Sequence, residues 1–406
     1  MTRSGISSSS AWRAVWVTRS FLDYRVPVYE ELDSLLGEAL VLIYNADVVP
    51  ERVRNKAAAA LGSRAIGLTG EWRLGHKSYL NRAANSGLRV PWQPGLMREM
   101  RRHQPSVVIT DGFFQWTSAA IWLRMLQGVP HVLCYERTAH MERGAQWYRR
   151  LYRKWALRYI DAMCCSGSLS GNYACHMGMP PDRITYGHMA ADTEGMIAAR
   201  RKIVPQDISD LRWRLSLKGT CLLYVGRLTR EKGLRQLLGA WAEMKPGLNQ
   251  NASLLLVGSG PDRDFLENTC KVQGLNNVRF TGAIDYDDLA LFYAVASAFV
   301  IPTLEDNWSL VVPEALACGL PVLCSKYNGC WPELVQEGRN GWVFDPLDPV
   351  DTVRCLEECV RSEMKLTSMG SESTRLIRDY TPRKAAESVL KACELAMRVG
   401  VRGKAR

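Results

Sequence analysis

Several kinds of segment are missing from this chain. No apolar run is long enough to span a bilayer, and the N-terminal stretch MTRSGISSSSAWRAVWVTRS lacks the apolar core of a secretory signal. These absences lead to the expectation of a soluble or peripheral protein, with Ser7–Ser10 as a frayed tail. No Cys-x-x-Cys pair occurs among the 12 cysteines, which argues against a structural zinc site or a disulfide framework and suits a reducing cytoplasm. There is no internal repeat, and no low-complexity tract beyond the serine run.

What remains is ordinary globular material with one asymmetry. The 406 residues suit two domains, and a hydrophobic content of 47% is enough to fill two cores. The net charge of +11 is unevenly placed: residues 1–200 hold 25 Lys and Arg against 16 Asp and Glu, residues 201–406 hold 27 against 25. The first half is therefore the one to meet an acidic partner, whether anionic lipid, a phosphorylated acceptor or nucleic acid. Nucleic acid is the weakest of these, because the basic charge is diffuse and no recognition module appears.

Short apolar runs alternate with helical patterns. Ala14–Thr18, Ala39–Tyr44, Val107–Thr110 and His131–Cys134 read as buried parallel strands, with a helix at Thr117–Gln127 stopped by Gly128. The scheme repeats at Cys221–Val225, Ser253–Val257, Asn277–Phe280, Ala298–Ile301 and Pro321–Ser325. Such alternation predicts an α/β protein with two doubly wound, Rossmann-like domains. A polar stretch at residues 192–212 marks the boundary, giving domains at 1–200 and 201–381. A last helix begins at Pro382 and is expected to cross back onto the first domain.

Three blocks carry chemistry. In YVGRLTREKGL, Gly226 allows a sharp turn after a strand, and Arg227 and Lys232 can both point over the carboxyl edge of a sheet. Two cations there suit a diphosphate leaving group, although the same residues could be surface charges on a loop. In LLLVGSGP, Gly258 and Gly260 follow a strand and permit the close approach of a ligand. In PTLEDNWSLVVPEALACG, the acidic pair Glu305 and Asp306 precedes a helix carrying Glu314. The amides of Ser309, Leu310 and Val311 at that helix start could take a phosphate; alternatively the acids merely cap the helix.

The order and spacing of GRLTREKG, GSGP and DNWSLVVPE resemble the retaining glycosyltransferases of family 4, with the GT-B fold. The resemblance extends through NVRFTGAIDYDDL and NGCWPELVQEGRNGWVFDP and covers the second half of the chain. It implies a sugar moved from a nucleoside diphosphate, UDP- or GDP-linked, to a glycan or lipid-linked acceptor, with retention of configuration, no cofactor and no metal. The site would lie between two facing domains. By the same resemblance Arg227 and Lys232 meet the donor phosphates, Asp306 the sugar hydroxyls and Glu314 the ribose. His140, in YERTAHMERG, corresponds to a histidine placed near the reacting sugar, with Glu136 the next candidate there. Asp306 stands where glutamate is usual, Ser309 where glycine is usual, and His188–Met189 where Asn-Gly is usual. The first loop, SFLDYRVPVYEEL, has no glycine and offers Arg25 for the phosphates instead. An epimerase, a phosphorylase or a non-catalytic sugar-nucleotide subunit could use the same scaffold.

Two features stand outside those blocks. In Gln146–Tyr159 the aromatic residues share one helical arc and Arg149, Arg150, Arg153 and Lys154 the other. This predicts an aromatic face in the core and a basic face in solvent or on anionic lipid headgroups. The D-x-D at Asp285–Asp287 precedes a helix, so Asp285 reads as a cap rather than a metal ligand.

Overall fold

The computed structural model describes residues 12–74 and 90–404; Ser7–Ser10 lies outside them. Contacts divide the chain into two units, one ending at Ala190 and rejoined by the chain from Pro382 onward, the other Ala191–Thr381.

The first unit runs β1 (Ala14–Thr18), α1 (Val26–Leu35), β2 (Leu40–Asn45), α2 (Glu51–Leu61), β3 (Ala65–Leu68), then β4 (Trp72–Leu74) and β5 (Val90–Trp92) as an antiparallel ribbon. It continues with α3 (Leu96–Arg102), β6 (Val107–Asp111), α4 (Thr117–Gln127), β7 (His131–Tyr135), α5 (Trp147–Ala156), β8 (Ala162–Cys165), α6 (Ser168–Met177) and β9 (Ile184–Tyr186). Seven strands form one parallel sheet in the order β3-β2-β1-β6-β7-β8-β9. β1, β2 and β7 are buried along their whole length, so both faces need apolar side chains and the sequence shows runs rather than alternation.

The second unit opens with α7 (Thr193–Lys202) and α8 (Pro205–Arg214), then β10 (Thr220–Val225), α9 (Leu234–Glu243), α10 (Pro246–Gln250), β11 (Ala252–Val257), α11 (Arg263–Val272), β12 (Val278–Gly282) and α12 (Leu289–Val295). It closes with β13 (Ala298–Ile301), α13 (Val311–Ala317), β14 (Val322–Ser325), α14 (Trp331–Leu334), β15 (Gly341–Phe344), α15 (Pro349–Arg361) and α16 (Glu363–Ile377). Its six parallel strands are ordered β12-β11-β10-β13-β14-β15. The last helix, α17 (Pro382–Lys404), packs on α1 and on β6 to β9 of the first unit. There Ala386, Val389, Ala392, Cys393 and Ala396 join Trp16, Tyr29 and Leu42 in one core. The opposite face of the same sheet is covered by α3, α4 and α6. Both units are doubly wound α/β domains, each with helices on both faces of a parallel sheet.

Some expectations change. The division falls at Ala190, ahead of residue 200, because α7 packs on α12 and α13 and so belongs to the second unit. Helix α5 is rotated about its axis from its expected orientation: Tyr152 packs on the core and Arg150 and Lys154 are exposed, as expected, but the rest of each arc is displaced. Arg149 and Arg153 are the buried residues, and Trp147, Leu151 and Trp155 lie exposed. The cause is a buried acid: the Arg153 guanidinium pairs with Glu142 at 2.6 Å, both almost fully enclosed. Arg149 and Arg153 also lie over the Phe114 ring at 5.0 and 5.3 Å, so that cation–π contacts join the Phe114–Tyr152 packing at 5.1 Å. Asp285 precedes a short 3-10 turn at Tyr286–Asp288 without capping it through its side chain. Among the described residues no group of three His, Cys, Asp or Glu could hold a metal, and no helix is long and apolar enough to cross a membrane.

Candidate active site

In a doubly wound sheet, ligands collect at the carboxyl ends of the two central strands where the strand order reverses. In the second unit those strands are β10 and β13, which pair directly. The chain leaves β10 at Gly226, whose φ of 152° suits glycine, and a Cβ there would meet the Tyr224 hydroxyl at 2.8 Å. Tyr224 donates that hydroxyl to the Arg227 carbonyl at 2.8 Å and so fixes the turn. The Arg227 side chain is exposed, with no acid paired to it among the described residues.

Gly258 and Gly260 are also required by packing. A Cβ on Gly258 would stand 1.8 Å from the Gly226 carbonyl oxygen, and one on Gly260 would stand 2.3 Å from that of Leu228. The space beside these glycines is filled by the neighbouring β10 loop, so backbone packing alone already demands glycine at both positions.

The loop after β13 meets the loop after β10. Lys232 and Asp306 form an ion pair through Nζ and Oδ2. Gly233 makes the approach possible, since its φ is 70° and a Cβ would lie 1.9 Å from the Pro302 carbonyl. Asp306 also accepts the Ser309 hydroxyl at 2.6 Å and the Trp308 N–H at 3.3 Å. Asn328 donates to Ser309 Oγ at 2.9 Å, and its Oδ1 accepts the amides of Ser309 and Cys330 at 3.4 and 3.3 Å. The residues Lys232, Asp306, Ser309 and Asn328 thus form one buried-to-exposed polar chain across three loops. Asn328 sits in a block that the resemblance covers but to which it gave no role. With Ser309 N–H occupied, the amides of Leu310 and Val311 remain at the start of α13, without an acceptor among the described residues.

Glu314 lies in the first turn of α13 and is almost fully buried. Tyr293 donates its hydroxyl to Glu314 Oε2 at 2.9 Å, and Tyr286 bonds the same carboxyl. Burial pushes the Glu314 carboxyl up to about 7, the two hydroxyls oppose this, and nearby Asp192 adds to it. Tyr286 and Asp192 line a cavity of about 480 Å³ with Met196 and Lys202. Two partners of Glu314, Tyr293 and Tyr286, were not singled out in the sequence, because only folding brings α12 against α13.

In the first unit the switch point is at β1 and β6. Arg25, expected at the donor phosphates, is instead an interior tie, only 4% exposed. Its guanidinium donates to Asp111 Oδ1 at 3.0 Å and to the His188 carbonyl at 2.6 Å, and lies 5.3 Å from the Trp16 ring centre. His188 is fully buried; burial, then Arg25, holds its imidazole well below the usual range. A neutral ring places its proton on Nε2, toward the Tyr135 carbonyl at 3.3 Å, and leaves Nδ1 to accept from Arg25 at 3.2 Å. His140 is half-buried in the loop after β7, where its carbonyl accepts from Arg143 at 2.6 Å. Glu142, between Arg137 and Arg153, anchors that loop.

The chain is similar to known proteins. Residues 48–194 match Glycosyltransferase Family 4, and residues 207–375 match Glycosyl transferases group 1. An uncharacterized glycosyltransferase of Methanocaldococcus jannaschii is 37% identical over 130 residues, 32% of each chain. A D-inositol 3-phosphate glycosyltransferase of Corynebacterium diphtheriae is 24% identical over 289 residues, 69% of this chain and 67% of that one. The first of these matches spans about a third of its relative's length. HepE of Anabaena, solved in complex with UDP, superposes with a TM-score of 0.70 over 94% of this chain and 99% of its own, at 16% identity. That likeness is one of fold, with the two Rossmann-like domains of GT-B proteins. The chain belongs to the group 1 glycosyltransferases of the family 4 type.

Proposed function

We propose that this protein transfers a sugar from a nucleoside-diphosphate donor to a hydroxyl of a glycan or lipid-linked acceptor, with retention of configuration. The observation that carries this reading is the Lys232–Asp306–Ser309 chain at the switch point of the second sheet, with exposed Arg227 on the loop that leaves β10. Cations aimed at a developing diphosphate charge act where the transition state needs them. Arg227 and Lys232 stabilise the leaving diphosphate, and the Leu310 and Val311 amides add donors. The bond from the anomeric carbon to the phosphate oxygen breaks, and the acceptor oxygen bonds to the same face. Its proton passes to the departing phosphate. Asp306 and Glu314 hold sugar and ribose hydroxyls. His140, on the first unit, keeps the part that the family resemblance implies for it. No metal is assigned a part, and the reaction is placed in the cytoplasm.

A second reading, a non-catalytic sugar-nucleotide-binding protein, is favoured by two features: Lys232 is already neutralised by Asp306, and Arg25 is spent inside the first unit. Thermal unfolding with UDP, GDP, ADP and TDP, followed by release of nucleotide from the matching sugar donors, separates the two. A melting shift with one nucleotide and acceptor-dependent release supports transfer. A shift without release, at any acceptor tried, supports binding alone.

A further inference from the structure

Helix α5 is built contrary to the usual rule for a water-soluble surface. Arg153 is 2% exposed, whereas Trp147 is 73%, Leu151 58% and Trp155 39% exposed. These three recur every four residues and form one stripe along the helix. At about 100° per residue, Arg150 and Lys154 fall along one flank of that stripe. Both are exposed, as is Arg158 just beyond the helix. On the same side of the sheet, α4 exposes Trp122, Met125 and Leu126. Between residues 93 and 160 the chain holds eleven Lys and Arg against four Asp and Glu. Of those four acids Glu142 is buried under α5, Asp111 is tied to Arg25 and Glu99 to His103.

We infer that the outer face of α5 rests on an anionic bilayer, with Trp147, Leu151 and Trp155 at the boundary of headgroups and acyl chains and Arg150 and Lys154 among the phosphates. The sequence pointed to the basic arc of this helix as the lipid-facing one; the structure places the aromatic stripe outward. Indole rings prefer that boundary, and long cationic side chains reach from it to the headgroups. The basic flank selects a negatively charged surface, and the Trp–Leu–Trp stripe gives it depth, which a purely electrostatic contact lacks. The buried Glu142–Arg153 pair keeps the aromatic face outward. This inference is independent of the transfer chemistry.

The test is co-sedimentation of the full chain with vesicles of phosphatidylcholine alone and of phosphatidylcholine with phosphatidylglycerol. Wild type is expected to sediment with the anionic vesicles and far less with the neutral ones. The variant Trp147→Ser/Leu151→Ser/Trp155→Ser is expected to stay in the supernatant with a melting temperature within a few degrees of wild type, since Trp147 and Leu151 face outward and Trp155 gives up only its ring contacts with Tyr152 and Tyr159. Arg150→Glu/Lys154→Glu is expected to bind anionic vesicles at least about thirtyfold more weakly, from roughly fivefold or more per basic residue lost. Wild type that ignores anionic vesicles would overturn the inference. So would a triple variant that binds them as wild type does, or whose only change is from dimer to monomer in sedimentation velocity, which would assign the stripe to a second copy of the chain.

Discussion

Lys232 and Asp306 lie 74 positions apart in the sequence and form an ion pair beyond the carboxyl ends of β10 and β13. The pair joins a cation assigned to the donor phosphates with the acid assigned to the sugar. Asp306 also holds Ser309, so the pair orders the loop that leads into α13. Lys232→Ala and Asp306→Asn are each expected to lower kcat/KM by about a hundredfold or more. The double variant should lose much less than the product of the two, because each removes the same contact. Steady-state nucleotide release from the four enzymes measures this, and full additivity would separate the two roles.

Arg227 makes a complementary case. Its side chain is exposed, with no acid paired to it among the described residues. Arg227→Ala is therefore expected to leave unfolding free energy within about 0.5 kcal/mol of wild type. Turnover should fall by about a hundredfold or more if the guanidinium stabilises the leaving diphosphate. Urea unfolding beside kinetics reads both; unchanged turnover would remove Arg227 from the mechanism.

Glu314 predicts a pH dependence of binding. Burial raises its carboxyl to about 7, so at neutral pH it is partly protonated. A carboxylate accepts ribose hydroxyls better than the acid does. Nucleotide affinity should therefore rise between about pH 6 and 8, approaching tenfold per pH unit on the acid side. Stability has the opposite sign: the contribution of this raised group is full below its unfolded value and is lost as pH climbs through 7. Isothermal titration of wild type and Glu314→Gln at several pH values checks it, with a flat profile expected for the glutamine variant.

His131 predicts the acid limb of stability. Thr110 bonds its Nε2 at 2.8 Å, and its Nδ1–H donates to the Tyr159 carbonyl at 3.1 Å. Burial lowers it to about 4, the carbonyl opposes and Arg124 assists. The unfolded chain then binds a proton that the folded one excludes. Stability from this group is intact above about pH 6.5 and falls on the way to pH 4, by on the order of 3 kcal/mol. Urea unfolding at pH 7 and pH 4.5 should show a smaller difference in His131→Gln than in wild type.

Two glycines should respond in opposite directions. Gly258 combines a φ of 141° with a Cβ position 1.8 Å from a carbonyl oxygen, whereas Gly239, inside α9, has nothing within 4 Å. Gly239→Ala is expected to stabilise by about 0.5–1 kcal/mol, and Gly258→Ala to cost several times that. Thermal melts of the two single variants decide it.

These residues show where the sequence could be read and where it could not. Strands buried on both faces announce themselves as apolar runs, and Ala14–Thr18 and Ala298–Ile301 are found at the expected bounds. Helix α5 deceived the eye because periodicity identifies two faces without saying which is inside. Glu142 and Phe114, which decide that question, are outside the helix. Arg25 misled for a related reason: its partners Asp111 and His188 are 86 and 163 positions away. The Lys232–Asp306 pair was legible as two charged positions in a motif, but their contact was not. Tyr286 and Tyr293 carried no signal at all, since a tyrosine beside a carboxylate is visible only after the chain has folded.

The return of α17 to the first sheet sets an order of events during synthesis. The second unit is one continuous stretch and is complete when Thr381 leaves the ribosome. The first unit, although begun earlier, lacks Ala386, Val389, Ala392, Cys393 and Ala396 until α17 has followed the second unit out. At about 5–20 residues per second, Trp16, Leu42 and Ile109 wait for roughly ten seconds or more beneath an uncovered face. The unit synthesised first is thus the last to close, and its exposed apolar strands are the part of the nascent chain that most needs a chaperone.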